Sequence, residues 1–248
     1  MRTTVIKSGG TVVYHELQKP HFFRCLANYC VDGPLVLVVS ALGRKPYPYS
    51  TDGLVSAFGT DLTPAEKDRV LALGETYAVA RCADLLRSIG YKIASLGLSE
   101  SLLVTDSAFG QAHVLDLEPA ALKNALSHSD IVVVPGFIAR DRLFRPTTMG
   151  RESSDLSAVY YALATDCPVV RFVKDITGVF KFEAGKFIAA TYDFLTYEEA
   201  LQLAEIGRLP LCGEAVKFAR DKNIRMEIID RNNAILCSVF SKKSRISD

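Results

Sequence analysis

Histidine is scarce in this chain, with four in 248 residues, and none of the six cysteines stands in a C-x-x-C pair. A zinc site is therefore not expected, because its ligands need closely spaced Cys and His. Long apolar runs are also missing. Runs such as residues 35–39 and 131–134 have the length of a strand and are far too short to span a bilayer. The opening Met-Arg-Thr-Thr-Val-Ile-Lys has no apolar stretch ahead of a small-residue cleavage site, so secretion is not expected. A net charge of +1 offers no field for nucleic acid or an anionic membrane. No repeat or low-complexity tract appears. What remains is a cytoplasmic protein whose cysteines act as small buried hydrophobes in a reducing compartment.

Hydrophobic residues make up 49% of the chain and charged residues 23%, as in an ordinary globular protein. The length suits one large domain or two tightly joined lobes. Short β-branched runs alternate with longer helical patterns, which predicts an α/β protein with a mostly parallel sheet. Strands are expected at 3–7, 35–40, 92–97, 131–134 and 169–173, with a closing pair near 225–229 and 234–239. Helices are expected over 14–28, 63–89, 118–127, 155–165, 196–207 and 214–221. Thr63, Pro64 and Glu66 combine an N-cap, a first-turn proline and a capping-box acid, and Thr196 with Glu199 repeats the box. Gly74 inside the long segment predicts a kink or break. Residues 1–240 form the domain and 241–248 a fraying tail.

Six segments carry chemistry. Lys7-Ser8-Gly9-Gly10-Thr11 follows the first strand. Its paired glycines allow close backbone approach to phosphate oxygens, and Lys7 supplies a point charge. Taken alone, the same residues also read as a tight structural turn, and the G-x-x-x-x-G-K-[ST] spacing of a P-loop is absent. Ser40-Ala41-Leu42-Gly43-Arg44-Lys45, with Pro46 to Asp52 beyond, ends a buried strand, where parallel sheets place ligands. Gly74-Glu75-Thr76 lies in the long helix, and Val133 to Ala139 is a strand end with a Pro-Gly turn. Thr147 to Asp155 delivers Ser154 and Asp155 to a helix start, which favours anions, and Arg151 is a planar cation suited to a carboxylate. Lys174-Asp175-Ile176-Thr177-Gly178-Val179-Phe180 follows the fifth strand.

Together these segments resemble the catalytic domain of aspartate kinases, in the amino acid kinase family, from Lys7 to about Ile229. Lys7 to Thr11 is similar to K-x-G-G-T, with Ser8 where phenylalanine is usual. Residues 38–52 resemble V-S-A-M-G-R-K-x-x-P-Y-x-T-D, and residues 147–155 resemble T-x-G-R-G-G-S-D, with Glu152 and Ser153 in place of two glycines. Residues 174–180 resemble [KT]-D-V-D-G-V-[FY]. Glu183-Ala184-Gly185 replaces an expected D-P-R, leaving Lys186 as the nearest cation. Leu209 stands where a nucleotide-side lysine is usual, beside Arg208. ACT domains of the kind that usually follow are not expected, nor is control through them.

The resemblance implies a three-layer αβα sandwich around a mostly parallel sheet. Its N-terminal part, about 1–165, holds the amino acid, and its C-terminal part, about 166–240, holds the nucleotide. It implies transfer of a phosphoryl group from Mg-ATP to the side-chain carboxylate of L-aspartate. Lys7 and Asp155 would be catalytic. Ser40, Thr51, Glu75, Arg151 and Ser154 would bind the acceptor, with Glu75 on its amino group and Arg151 on its carboxylate. Lys7, Gly9, Gly10, Lys174, Asp175, Phe180, Lys186 and Arg208 would meet the nucleotide. ATP and Mg2+ are the implied cofactors, and a homodimer is the implied assembly. Two other readings stay open from the sequence. One is a kinase of this fold acting on another small acid or phosphate. The other is a partner subunit that binds ligands without transferring phosphate.

Overall fold

The computed structural model describes residues 2–59, 61–183 and 186–241, with side chains throughout except at 182–188. β1 (Thr4–Ser8) leads through Gly9 into α1 (Gly10–Gln18), and a single turn, α2 (His21–Arg24), follows Pro20. The helix predicted over 14–28 is therefore broken into α1, α2 and a 3-10 turn at Leu26–Tyr29. Proline lacks the N–H and its ring crowds the preceding turn, so no helix runs through Pro20. β2 (Leu35–Val39) is buried at every position. A short helix absent from the sequence reading, α3 (Thr51–Ser56), is capped by the Ser50 hydroxyl, which accepts the Gly53 N–H.

α4 (Pro64–Ser88) begins with the predicted capping box. The Glu66 carboxylate accepts the Thr63 N–H at 2.8 Å, and the Thr63 hydroxyl accepts the Glu66 N–H at 3.3 Å. The predicted break at Gly74 does not occur. The helix is continuous for 25 residues, and Gly74 serves close contact. A Cβ there would stand 3.0 Å from the Ala41 Cβ, the Leu54 Cδ1 and the Tyr49 carbonyl oxygen.

Next come β3 (Ile93–Ser95), β4 (Leu103–Thr105), β5 (Val114–Leu117), α5 (Ala120–Leu126) and β6 (Ile131–Pro135). β7 (Ile138–Asp141), β8 (Pro146–Thr148), α6 (Ser154–Ala164) and β9 (Val169–Val173) follow. The chain continues with an antiparallel pair, β10 (Phe180–Glu183) and β11 (Lys186–Thr191), then β12 (Phe194–Thr196) and α7 (Tyr197–Glu205). α8 (Gly213–Lys222), β13 (Arg225–Ile229) and β14 (Ile235–Phe240) complete it. The predicted capping box at Thr196 forms at the start of α7. The tail residues 242–248 lie outside the described residues.

Among the described residues, eight strands join in the order β12-β14-β13-β9-β1-β2-β6-β3. Neighbours are parallel except β13 and β14. Alternation along each strand sorts the side chains into two cores. Val5, Val36, Val38, Val132 and Phe172 pack with Leu122 of α5, Val159 of α6, Leu203 of α7 and Val216 of α8. Ile6, Leu37, Val39, Val133 and Val173 pack with Val13 of α1, Phe22 of α2 and Val79 of α4. The result is the predicted αβα sandwich, with the parallel sheet covered on both faces as such sheets require. A second sheet of four short strands, β5-β4-β7-β8, lies beside α4 and has no counterpart in the sequence reading. The carboxyl ends of β1, β2 and β9 open together, and the candidate site forms there.

Candidate functional site

Three charged side chains meet beyond the ends of β1 and β9. The Lys7 ammonium lies 2.8 Å from Asp155 Oδ1, and the Lys174 ammonium 3.2 Å from Oδ2. The Cys212 N–H, at the start of α8, also donates to Oδ2 at 3.2 Å. Lys7 is the penultimate residue of β1 and Lys174 directly follows β9, while Asp155 is in the first turn of α6. Burial by itself raises the Asp155 carboxyl, but Lys174 and Lys7 outweigh it and hold the group at about 2. Burial pushes the Lys174 ammonium below its ordinary range, against the pull of Asp155. One carboxylate between two ammonium groups leaves a positive floor.

Two helix starts reinforce that floor. α1 begins at Gly10, and Gly9 precedes it in extended conformation. α8 begins at Gly213. Unpaired N–H groups at both starts favour anions. Gly10 is required by space, because a Cβ there would stand 2.0 Å from the Ala41 carbonyl oxygen. Lys7, Gly9, Gly10, Lys174, Asp175 and Cys212 all line one cavity of about 750 Å³. The donor set fits the phosphates of a nucleotide.

A second cavity of about 760 Å³ opens on the far side of the α6 start. Ser40, Thr51, Glu152 and Ser154 line both cavities, so the two meet at these residues. Glu75 stands on the wall of the second, 2% exposed. Its Oε1 accepts the Ala41 N–H at 3.1 Å, while Oε2 is buried with no partner among the described residues. Burial pushes this carboxyl up to about 8, against the hydrogen bond from Ala41. The Ser40 hydroxyl is likewise buried and unpartnered. Orphan buried polar atoms facing a cavity mark where a polar ligand completes the bonding.

The turn from Thr147 to Asp155 joins the cavities. Gly150 and Glu152 both take positive φ, 83° and 64°. The glycine that the resemblance expects at 152 is thus replaced by a residue forced into the left-handed region, while Ser153 (φ −68°, ψ −5°) sits where any residue fits. The Ser153 hydroxyl donates to the Gly150 carbonyl at 2.7 Å. Gly136 lets α6 approach β6, since a Cβ there would stand 2.8 Å from the Ser154 Cβ.

Other predicted residues are spread more widely. Arg151 lines the rim of the second cavity, with its side chain 91% exposed and 3.5 Å from Asp52 Oδ1. Phe180 and Arg208 are exposed, and neither is among the described lining residues. Leu209 and Pro210 line the first cavity instead. The Lys186 side chain lies outside the described residues. Two contributors escape sequence reasoning. Cys212 reads as an ordinary buried thiol, and it acts through its backbone N–H. Asp68 reads as one more charge on an amphipathic helix, yet it is fully buried.

Comparison with known proteins gives the same family. The amino acid kinase family model matches residues 2–230. Aspartokinase 1 of Bacillus subtilis is 29% identical over 233 residues, covering 92% of this chain and 58% of the relative. The chain spans about half the length of the curated relatives it matches. In fold it is similar to the aspartate kinase from Synechocystis, with a TM-score of 0.79, 24% identity, and coverage of 96% of this chain and 40% of that one. It is also similar to E. coli aspartokinase III in complex with aspartate and ADP, with a TM-score of 0.75, 19% identity, and coverage of 96% and 65%. By its family model and by the sandwich that carries its cleft, the chain belongs to the amino acid kinase family.

Proposed function

We propose that this chain transfers the γ-phosphoryl group of ATP to the side-chain carboxylate of L-aspartate, as an aspartate kinase does. The observation that carries the reading is the junction of two cavities, one floored by Lys7, Asp155 and Lys174, the other walled by the orphan carboxylate of Glu75. The N-terminal part, about 1–165, holds the acceptor, and the C-terminal part, about 166–240, closes over the nucleotide.

Phosphoryl transfer needs positioning and charge neutralisation more than covalent chemistry. Lys7 and the amides of Gly9 and Gly10 face the group in transfer, while Lys174 and Asp175 meet the nucleotide. Asp155 holds both ammonium groups in place. A carboxylate oxygen of the acceptor forms the new P–O bond as the bond to the β-phosphate bridging oxygen breaks. ADP leaves, the product is an acyl phosphate, and no proton has to move.

On the acceptor side, Glu75 receives the ammonium group and Arg151 the α-carboxylate, with Ser40, Thr51 and Ser154 completing the bonding. Arg151 is ready to turn inward, because its exposed pair with Asp52 is worth at most about 1 kcal/mol. Mg2+ would neutralise the phosphates, which supply most of its ligands. Among the described residues no three His, Cys, Asp or Glu cluster as a metal cage. Asp175 and Glu152, on the cavity walls, are the carboxylates available to it. A homodimer and a cytoplasmic setting accompany this reading.

The test is ADP release, coupled to hydroxamate trapping of the acyl phosphate, across a panel of amino acids and small acids. Turnover confined to aspartate supports the proposal. Turnover with a different acid only, or binding without turnover, overturns it.

A further inference from the structure

Asp68 lies on α4 with no exposed surface and has no part in the chemistry above. Its Oδ2 accepts the Thr148 N–H at 2.8 Å and the Gly110 N–H at 2.9 Å, and its Oδ1 accepts the Thr148 hydroxyl at 2.8 Å. Among the described residues it forms no ion pair. A sealed carboxylate satisfied only by neutral donors is costly to assemble, and each bond it makes is strong in the low-dielectric interior.

What these bonds connect gives them meaning. Asp68 and Glu75 are seven residues apart on one helix, which puts them on the same face two turns apart. Both line the acceptor cavity. Thr148 ends β8, and the chain runs from it directly into the turn that carries Arg151, Glu152 and Ser154. The neighbouring Thr147 is held as well, its hydroxyl 2.7 Å from that of Thr105. A single carboxylate therefore fixes the spacing between the wall bearing Glu75 and the turn bearing Arg151 and Ser154. None of its three bonds goes to Lys7, Gly9 or Gly10.

We propose that Asp68 is a positioning residue that sets the geometry of the acceptor cavity and leaves nucleotide binding untouched. This rests on the acceptor reading of that cavity. Asp68→Ala removes both acceptor oxygens, so the link to Thr148 and Gly110 breaks, whereas Asp68→Asn can still accept both N–H groups through its amide oxygen and donate its NH2 to the Thr148 hydroxyl. In Asp68→Ala the acceptor KM rises about 10- to 100-fold, and the ATP KM stays within about twofold. Thr148→Val, which removes one of the three donors, moves the acceptor KM in the same direction. The double variant costs less than the product of the two, because both cut one link.

Hydrogen exchange supplies a readout independent of turnover. In Asp68→Ala the amides of Gly110 and of residues 148–155 lose protection, while those of Gly9 and Gly10 keep it. Equal rises in both KM values, or unchanged exchange at 148–155, overturn the proposal. If the unmodified protein does not turn over aspartate, the reading of the reaction fails, and the exchange pattern alone decides the role of Asp68. If Asp68→Ala does not fold, Thr148→Val gives the same readouts.

Discussion

The Lys7 ammonium and Asp155 Oδ1 are 2.8 Å apart, with both side chains almost sealed from water. Their partners come from a strand end and a helix start that are 148 residues apart in sequence (155 minus 7). Lys7 is therefore both a structural counter-ion and a cation on the wall of the first cavity.

Lys7→Ala should lower ATP turnover by at least about 10²- to 10³-fold, the scale for removing one preorganised charge from a transition state. Asp155 keeps Lys174 as a partner, so the stability loss should stay near or below about 3 kcal/mol, short of a fully abandoned buried charge. Circular dichroism and a urea melt check the fold while a coupled ADP assay checks the rate. Unchanged turnover in a folded variant would remove the kinase assignment.

Asp155 also makes an acid-stability prediction. Its carboxyl titrates near 3.8 when unfolded and at about 2 when folded, so across that range the unfolded chain binds more protons. The stabilisation is fully present above the unfolded value and is lost as pH falls from about 4 to about 2. Its size is about 2 kcal/mol. Asp155→Asn should be less stable at neutral pH and should show a flatter fall over this interval. Parallel urea-midpoint curves for the two proteins would count against the Lys–Asp–Lys cluster.

The turn between the cavities can be tested through its strain. Glu152 holds φ at 64°, a region costing a non-glycine residue about 1–2 kcal/mol. Some of that is offset by the greater unfolded-state freedom of glycine. Glu152→Gly should therefore gain about 0.5–1 kcal/mol, or roughly 2–3 °C in Tm for a chain of this size. Ser153→Gly should not, because Ser153 is right-handed helical and its hydroxyl is bonded to Gly150. Thermal melts of the two variants must separate in that order. If both move together, the strain is not localised at 152.

How far the sequence could be read follows from where its signals are local. β2 and β6 are unbroken apolar runs, and the helices starting at Thr63 and Thr196 carry capping boxes within four residues, so pattern alone finds them. The β5-β4-β7-β8 sheet is invisible to that method. Its strands are three or four residues long, and their burial depends on α4 lying alongside. Motif resemblance brought Lys7, Ser40, Thr51, Glu75, Ser154, Asp155 and Lys174 to one cleft. It could not tell that Arg151 points outward towards Asp52, because an exposed side chain is set by its surroundings. Gly74 misled for a related reason. Its cost to the helix is local, and its benefit lies in contacts with Ala41 and Tyr49.

Glu75 makes the prediction that most directly joins structure to binding. Its carboxyl is pushed from 4.5 to about 8 by burial, so at pH 7 the folded protein holds it mostly protonated. For stability the sign is fixed. The folded state binds the extra proton, so its contribution is fully present below pH 4.5 and is lost as pH rises through 8. Acceptor binding has the opposite sign, because an ammonium group needs the ionised carboxylate. Only about a tenth of the protein is competent at pH 7, so the apparent acceptor KM should fall up to about tenfold between pH 7 and pH 9. A bound ammonium lowers the carboxyl again, and the transition should appear at lower pH under saturating acceptor. Glu75→Gln keeps the acceptance of the Ala41 N–H through its amide oxygen, loses the charge, and should bind acceptor weakly with no such pH dependence. Measuring acceptor KM and thermal stability in one set of buffers tests both signs together. A pH-independent KM in the unmodified protein would show that Glu75 does not face the acceptor's ammonium group.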